Sequence, residues 1–235
     1  MNNPTEPTKP KKENLLVNLL LNIIVPTLVL TKLSSEEYLG PTVALIVALA
    51  FPIAYGLWDY RERKKWNLFS ILGLISVLLT GGISLLQLDP KYIAIKEAAI
   101  PAILGIATLL STRTRYPLVK TILLNDSVLD VDKINQALEQ QNHKASFNKV
   151  LMNASYLVAL SFALSAILNY VLAKIVVVSS PGSVEYTQQL GKLTALSYPV
   201  IVVPVTIVMI FAMFYLFRNI TRLTELSLED ILVQQ

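Results

Sequence analysis

Cysteine is absent from the 235 residues, so neither a disulfide framework nor a thiolate metal site is possible. Charge is scarce as well: Asp, Glu, Lys and Arg make up 15% of the chain, against roughly 25% in an ordinary soluble domain. A chain so poor in charge cannot cover a water-facing surface. Histidine occurs once, as His143. There is no HExxH, no GxSxG elbow, no Gly-rich phosphate loop ending in Lys-Ser/Thr and no paired-carboxylate cluster. Asp126, Asp130 and Asp132 form the densest acidic group, but their spacing carries no metal geometry. These absences predict a protein that is not an enzyme and holds no metal or cofactor. Ionisable residues are also missing from the centres of the apolar stretches, which argues against a proton-driven carrier with a midplane carboxylate.

What is present is apolar. Hydrophobic residues reach 54% and fall in six runs, at 15–31, 39–58, 67–88, 94–111, 150–173 and 194–217. Each is close to the ~20 helical residues needed to cross a ~30 Å hydrocarbon core. The short alternating segments of a membrane β-barrel do not occur. The fold class expected is therefore all-α, a polytopic membrane protein built as a bundle of six transmembrane helices. The first run follows Lys9, Lys11 and Lys12, as a secretory signal would. However, Asn18, Asn22 and Pro26 interrupt it, and Thr31-Lys32-Leu33 offers no small-residue cleavage site, so an uncleaved span is expected.

Charge sets the orientation. Fifteen of the twenty Lys and Arg lie in the N-terminal tail, 59–66, 112–149 and the C-terminal tail. Lys32, Lys91, Lys96, Lys174 and Lys192 remain for the other side. Basic excess marks cytoplasmic loops, so both termini are expected in the cytoplasm. Aromatics agree, with Trp58, Tyr60, Trp66 and Tyr116 at the inner boundary and Tyr38, Tyr92 and Tyr170 near the outer one. The same topology accounts for the net charge of +4 without invoking nucleic acid. The organisation is a basic tail (1–14), helices one to four (15–111), a cytoplasmic loop (112–149), helices five and six (150–217) and a cytoplasmic tail (218–235). No convincing repeat relates the halves.

Within the loop, Val131, Ile134 and Leu138 share a face and Asp130 is placed to cap it, predicting a short amphipathic helix. It either lies on the membrane or under the bundle, or merely spaces spans four and five as a solvated helix. The outer loop 174–193, with Ser179-Ser180-Pro181-Gly182-Ser183, reads as a turn followed by a short amphipathic stretch.

Polar groups inside spans are costly and therefore informative. Asn14, Asn18 and Asn22 recur every four residues on one face of span one. Ser161, Ser165 and Asn169 do the same on span five. Each stripe is either hydrogen-bonding glue between helices, worth about 0.6 kcal/mol per contact, or one wall of a polar path. Ser76, Thr80 and Ser84 repeat the spacing on span three beside Gly73, Gly81 and Gly82, which is the ordinary device for close helix packing. Asp59 is a boundary carboxylate beside Arg61, Arg63, Lys64 and Lys65. Glu97 either caps the start of span four or guards a vestibule. Pro26, Pro52, Pro101, Pro199 and Pro204 interrupt spans, and Pro52 and Pro101 are candidate hinges.

The stretch Gly40-Pro41 through Pro52-Ile53-Ala54-Tyr55-Gly56-Leu57-Trp58-Asp59, then Asn67-Leu68-Phe69-Ser70-Ile71-Leu72-Gly73-Leu74, Leu79-Thr80-Gly81-Gly82 and Lys96-Glu97-Ala98-Ala99-Ile100-Pro101, resembles a family of small bacterial polytopic inner-membrane proteins, distantly similar to intracellular septation protein A. The resemblance covers most of the chain and implies a bacterial cytoplasmic membrane and a part in envelope upkeep, with no catalytic residues. Two functions follow as expectations. One is a transporter-like protein for a small or lipid-like solute, using the two polar stripes as its path. The other is a non-transporting scaffold, holding envelope or division proteins at its cytoplasmic face. The lipid bilayer and a second copy of the chain are the remaining expected partners.

Overall fold

The computed structural model describes residues 15–63, 68–114, 118–124 and 129–232. Lys9, Lys11, Lys12, Asn14, Lys64, Lys65, Trp66, Tyr116 and Asp126, all used above, lie outside the described residues. Among the described residues every element is helical, apart from an isolated antiparallel bridge between Leu129 and Leu232. Four helices are long and apolar enough to cross a membrane: Gly40–Arg61, Lys91–Ser111, Lys144–Val176 and Val184–Thr224. The stretches Leu16–Lys32 and Leu74–Leu85 are apolar but shorter. The chain divides into two compact units, one of the residues up to Lys96 with Leu172–Leu196, the other of Glu97–Val171 with the residues from Ser197 onward.

The first unit opens with α1 (Leu15–Leu19), a π turn (Leu20–Ile24) and α2 (Val25–Lys32), which run on as one helix. Pro26 has no N–H to donate back to Asn22, and the wider π turn absorbs that missing bond. A tight turn then reverses the chain, with Gly40 N donating to Ser35 O at 3.0 Å. Gly40 takes φ +69°, open to glycine at little cost, and starts α3 (Gly40–Arg63). Next comes α4 (Leu68–Leu85). The link to α5 (Lys91–Ser111) is capped by Asp89, which accepts from Lys91 N at 2.9 Å. That bond, with the Lys91 ammonium 3.3 Å away, holds the Asp89 carboxyl below its ordinary range.

The expected outer loop 174–193 is much shorter. α8 (Lys144–Val176) carries on to Val176, and α9 (Val184–Ser197) starts at Val184. Ser183 Oγ accepts from Tyr186 N at 3.1 Å, giving the helix a start. Tyr186, Leu190 and Leu193 then recur on one buried face. What reads as an amphipathic loop is the first part of a helix that runs through a second π turn (Tyr198–Val202) into α10 (Val203–Thr224). Pro199 lies within that turn and Pro204 just after it, as Pro26 follows the first. Pro52 and Pro101 instead sit inside unbroken α-helix.

The second unit contains α6 (Leu118–Leu123) and α7 (Val131–Gln140), whose cap is Asp130 accepting from Lys133 N at 2.9 Å. Its apolar face is not solvated: Ile134 and Leu138 are buried with Leu216, Ile220 and Ile231 in one core. The segment 218–235 is likewise not a free tail up to residue 232, since α10 persists to Thr224 and α11 (Leu228–Ile231) closes the core.

Asp230 in α11 accepts from Ser227 Oγ at 2.6 Å and pairs with Lys133 Nζ at 3.0 Å. These contacts lower its carboxyl from 3.8 to about 2. A depressed carboxyl contributes its stabilisation above its unfolded value and loses it as pH falls through the folded one. Amide exchange in 228–232 should therefore rise as pH falls from about 4 to about 2, beyond the intrinsic pH dependence of exchange. In Asp230→Asn the same amides should start faster and lose that added dependence.

Candidate functional site: a buried lysine on a hydroxyl stripe

The spacing of four that places Ser76, Thr80 and Ser84 on one face of α4 does more than bring helices close. Lys96, on the second turn of α5, reaches that face and is only 7% exposed. Its ammonium donates to Ser76 Oγ at 3.1 Å and to Thr80 Oγ1 at 2.8 Å. Thr80 Oγ1 donates in turn to Ser76 O at 3.0 Å, which leaves its lone pairs for the ammonium. One turn further on, Ser84 Oγ shares a bond of 3.0 Å with the phenol of Tyr186, from α9. At ~1.5 Å per residue the stripe from Ser76 to Ser84 is about 12 Å long. On the neighbouring face Gly81 lies tight against α3, because a Cβ there would stand 2.9 Å from Leu49 Cδ1.

Beyond Ser84 the stripe opens into a cavity of about 180 Å³. Ser84, Gln87, Tyr186, Thr187 and Thr42 give it hydroxyl and amide groups, and Pro41, Leu45 and Leu85 give it an apolar wall. Gly182, at φ +86°, completes the lining, and a Cβ there would come within 3.1 Å of Gln87 Nε2.

Sequence reasoning assigned Lys96 to the outer loops and Ser76, Thr80 and Ser84 to packing. The signal that could have joined them was a cation two residues inside an apolar run, facing a neighbouring span with hydroxyls at one spacing.

The residues singled out from sequence are placed differently. Asn22 Nδ2 donates to Asn18 Oδ1 at 2.9 Å within the first helix, and both are half-buried. In the other unit Ser161 is fully buried and donates to Val158 O at 2.7 Å. Asn169 Nδ2 donates to Ser165 O at 2.8 Å and lies 3.2 Å from Ser165 Oγ. The structure thus joins Asn18 to Asn22 and Ser165 to Asn169, each pair within its own helix. Asp59 and Glu97 are half-buried, the latter directly after Lys96. His143 Nδ1 lies 2.9 Å from Leu223 O, a carbonyl that can only accept, so Nδ1 carries the hydrogen. Among the described residues no three His, Asp or Glu side chains converge as metal donors.

No family model, curated protein or solved structure matches the chain. Among the described residues, fold and site define an all-helical protein with four helices fit to cross a bilayer and a lysine buried among hydroxyls.

Proposed function

We propose that the chain is a bacterial inner-membrane protein with six spans and cytoplasmic termini, and that it moves a small or lipid-like solute along the Ser76–Thr80–Ser84 stripe. The observation that carries this reading is the burial of Lys96 on that stripe. An ammonium inside a membrane helix costs about 3 kcal/mol or more, and packing two helices together requires none. Hydroxyls solvate the charge while keeping the surface polar, as a path for a polar solute demands. The Asn18–Asn22 and Ser165–Asn169 pairs, already bonded within their helices, are secondary to this path.

Flux into proteoliposomes tests the proposal. Glycerol, alanine, acetate and phosphate form the panel. At least one should enter faster than into protein-free vesicles, and Thr80→Val should slow it about tenfold. Equal rates for wild type and empty vesicles across the panel would contradict it.

The scaffold alternative draws on the second unit, where Lys133–Asp230 fastens α7 to α11, Gln141–Glu225 ties the end of α7 to the end of α10, and Lys144–Glu139 ties α8 to α7. That order leaves exposed Asp132, Gln136 and Gln140 as a fixed polar surface. Because Ile134 and Leu138 are core residues, the discriminating variant is Asp132→Lys with Gln136→Lys, which turns this surface basic, with pulldown of division and envelope proteins as readout. Loss of partners with flux unchanged would favour the scaffold.

A further inference from the structure

We propose that the cavity at the end of the hydroxyl stripe binds a small uncharged polyol, an inference that rests on the solute-path reading and names its substrate class. None of the nine lining residues carries a charge. An ion placed there would lose its hydration without a counter-charge in the wall, and burying an unpaired charge costs far more than burying a bonded hydroxyl. The wall is instead mixed, with hydroxyls and an amide facing the apolar surface of Pro41, Leu45 and Leu85. A polyol has that same division, hydroxyls on its edges and C–H groups on its faces.

The hydrogen-bonding capacity is unspent. Ser84 and Tyr186 use one of their two hydroxyl hydrogens in the bond between them, leaving the other to donate and both oxygens able to accept. Thr187 donates to Ser183 O at 3.2 Å and keeps its lone pairs. Gln87 contributes a donor and an acceptor from one amide. Size agrees too: about 180 Å³ equals about six water volumes at ~30 Å³ each, room for glycerol with its six heavy atoms.

The wall is also held in place. Gln189 Oε1 accepts from Val178 N and Ser179 N, each at 2.9 Å, and its Nε2 donates to Ser179 Oγ at 2.8 Å. This clamp fixes the segment that delivers Gly182, so the site exists before the ligand arrives.

Saturation-transfer NMR on the full chain in lipid nanodiscs tests the site, with glycerol as probe and acetate and methylammonium as charged probes of similar size. Glycerol should give a signal and the two ions none. Thr42→Trp fills the cavity from an exposed position and should weaken glycerol at least tenfold, with helix content and thermal midpoint unchanged. Ser84→Ala should weaken it several-fold. Glycerol binding unchanged in Thr42→Trp, or ions bound as well as glycerol, overturns the proposal. Glycerol binding that Thr42→Trp removes, in vesicles that show no flux, upholds this site and overturns the transport reading. Flux of ions without glycerol binding overturns the site and leaves the path.

Discussion

Lys96→Met should leave the protein folded and at least as stable as the wild type, while solute flux falls at least tenfold. Methionine keeps the length of the lysine stem, so the contact between α5 and α4 is filled without a charge. Replacing buried charges by apolar residues of similar volume is often neutral or stabilising, by up to about 4 kcal/mol. The hydroxyls it leaves are not stranded, since Thr80 already donates to Ser76 O and Ser76 can turn to a carbonyl of its own helix. The converse change is the harmful one. Ser76→Ala with Thr80→Val keeps the ammonium and removes two hydroxyls that solvate it. Hydrogen bonds to charged groups contribute about 1.5–3 kcal/mol each, so the double variant should lose about 3 kcal/mol. Thermal unfolding in detergent reads the stability of both variants and vesicle uptake the flux of Lys96→Met. A Lys96→Met protein that loses stability but transports normally would make the lysine a packing residue.

Gly191→Leu should disrupt the pairing of α9 with the first helix and unfold the first unit. A Cβ at this position would stand 2.6 Å from Thr31 Cγ2, 3.0 Å from Leu30 Cβ and 3.2 Å from Thr27 O. Two of these are atoms close to the backbone of α2, so the helices themselves must separate. Even Gly191→Ala should cost about 1–3 kcal/mol, the usual range for overpacking. Because the shortest contact is to one methyl, Thr31→Ser should restore part of the loss in Gly191→Ala. A double-mutant cycle on thermal midpoints measures that coupling. Tolerance of leucine with no change in midpoint would mean that the helices cross elsewhere.

Position 191 also shows where sequence patterning ran out. Glu185, Gln188, Gln189 and Lys192 make 184–193 polar enough to read as loop, and hydropathy does not register that Tyr186, Leu190 and Leu193 form one buried face. Lys96 failed for a related reason. A lysine near the end of an apolar run is ordinarily one that snorkels to water, and only the neighbouring helix reveals that its head turns inward. By contrast Asp130, Ile134 and Leu138 announced α7, because a cap and a 3.6-residue period are local properties. Which core that face enters depends on Leu216, Ile220 and Ile231, some eighty residues away in the chain, and no local pattern carries it. The all-helical class was legible from the apolar runs, because lipid leaves the backbone no other open-ended way to satisfy itself. The turns in α-helical geometry were partly so: prolines mark where they can occur, yet only Pro26 and the Pro199–Pro204 pair accompany π turns.

The central claim is that the Ser76–Thr80–Ser84 stripe is reached by solutes from water, and a single thiol tests it. The chain has no cysteine, so Thr80→Cys carries only one. Lys96 Nζ lies 2.8 Å from the oxygen that the sulfur replaces, and a neighbouring cation favours the reactive thiolate. In intact membranes Thr80→Cys should react with 2-hydroxyethyl methanethiosulfonate, a small uncharged hydroxyl-bearing reagent. Ile106→Cys, on an exposed apolar face, should not. If Thr80→Cys reacts only after denaturation, the stripe is a closed packing surface and the path does not exist.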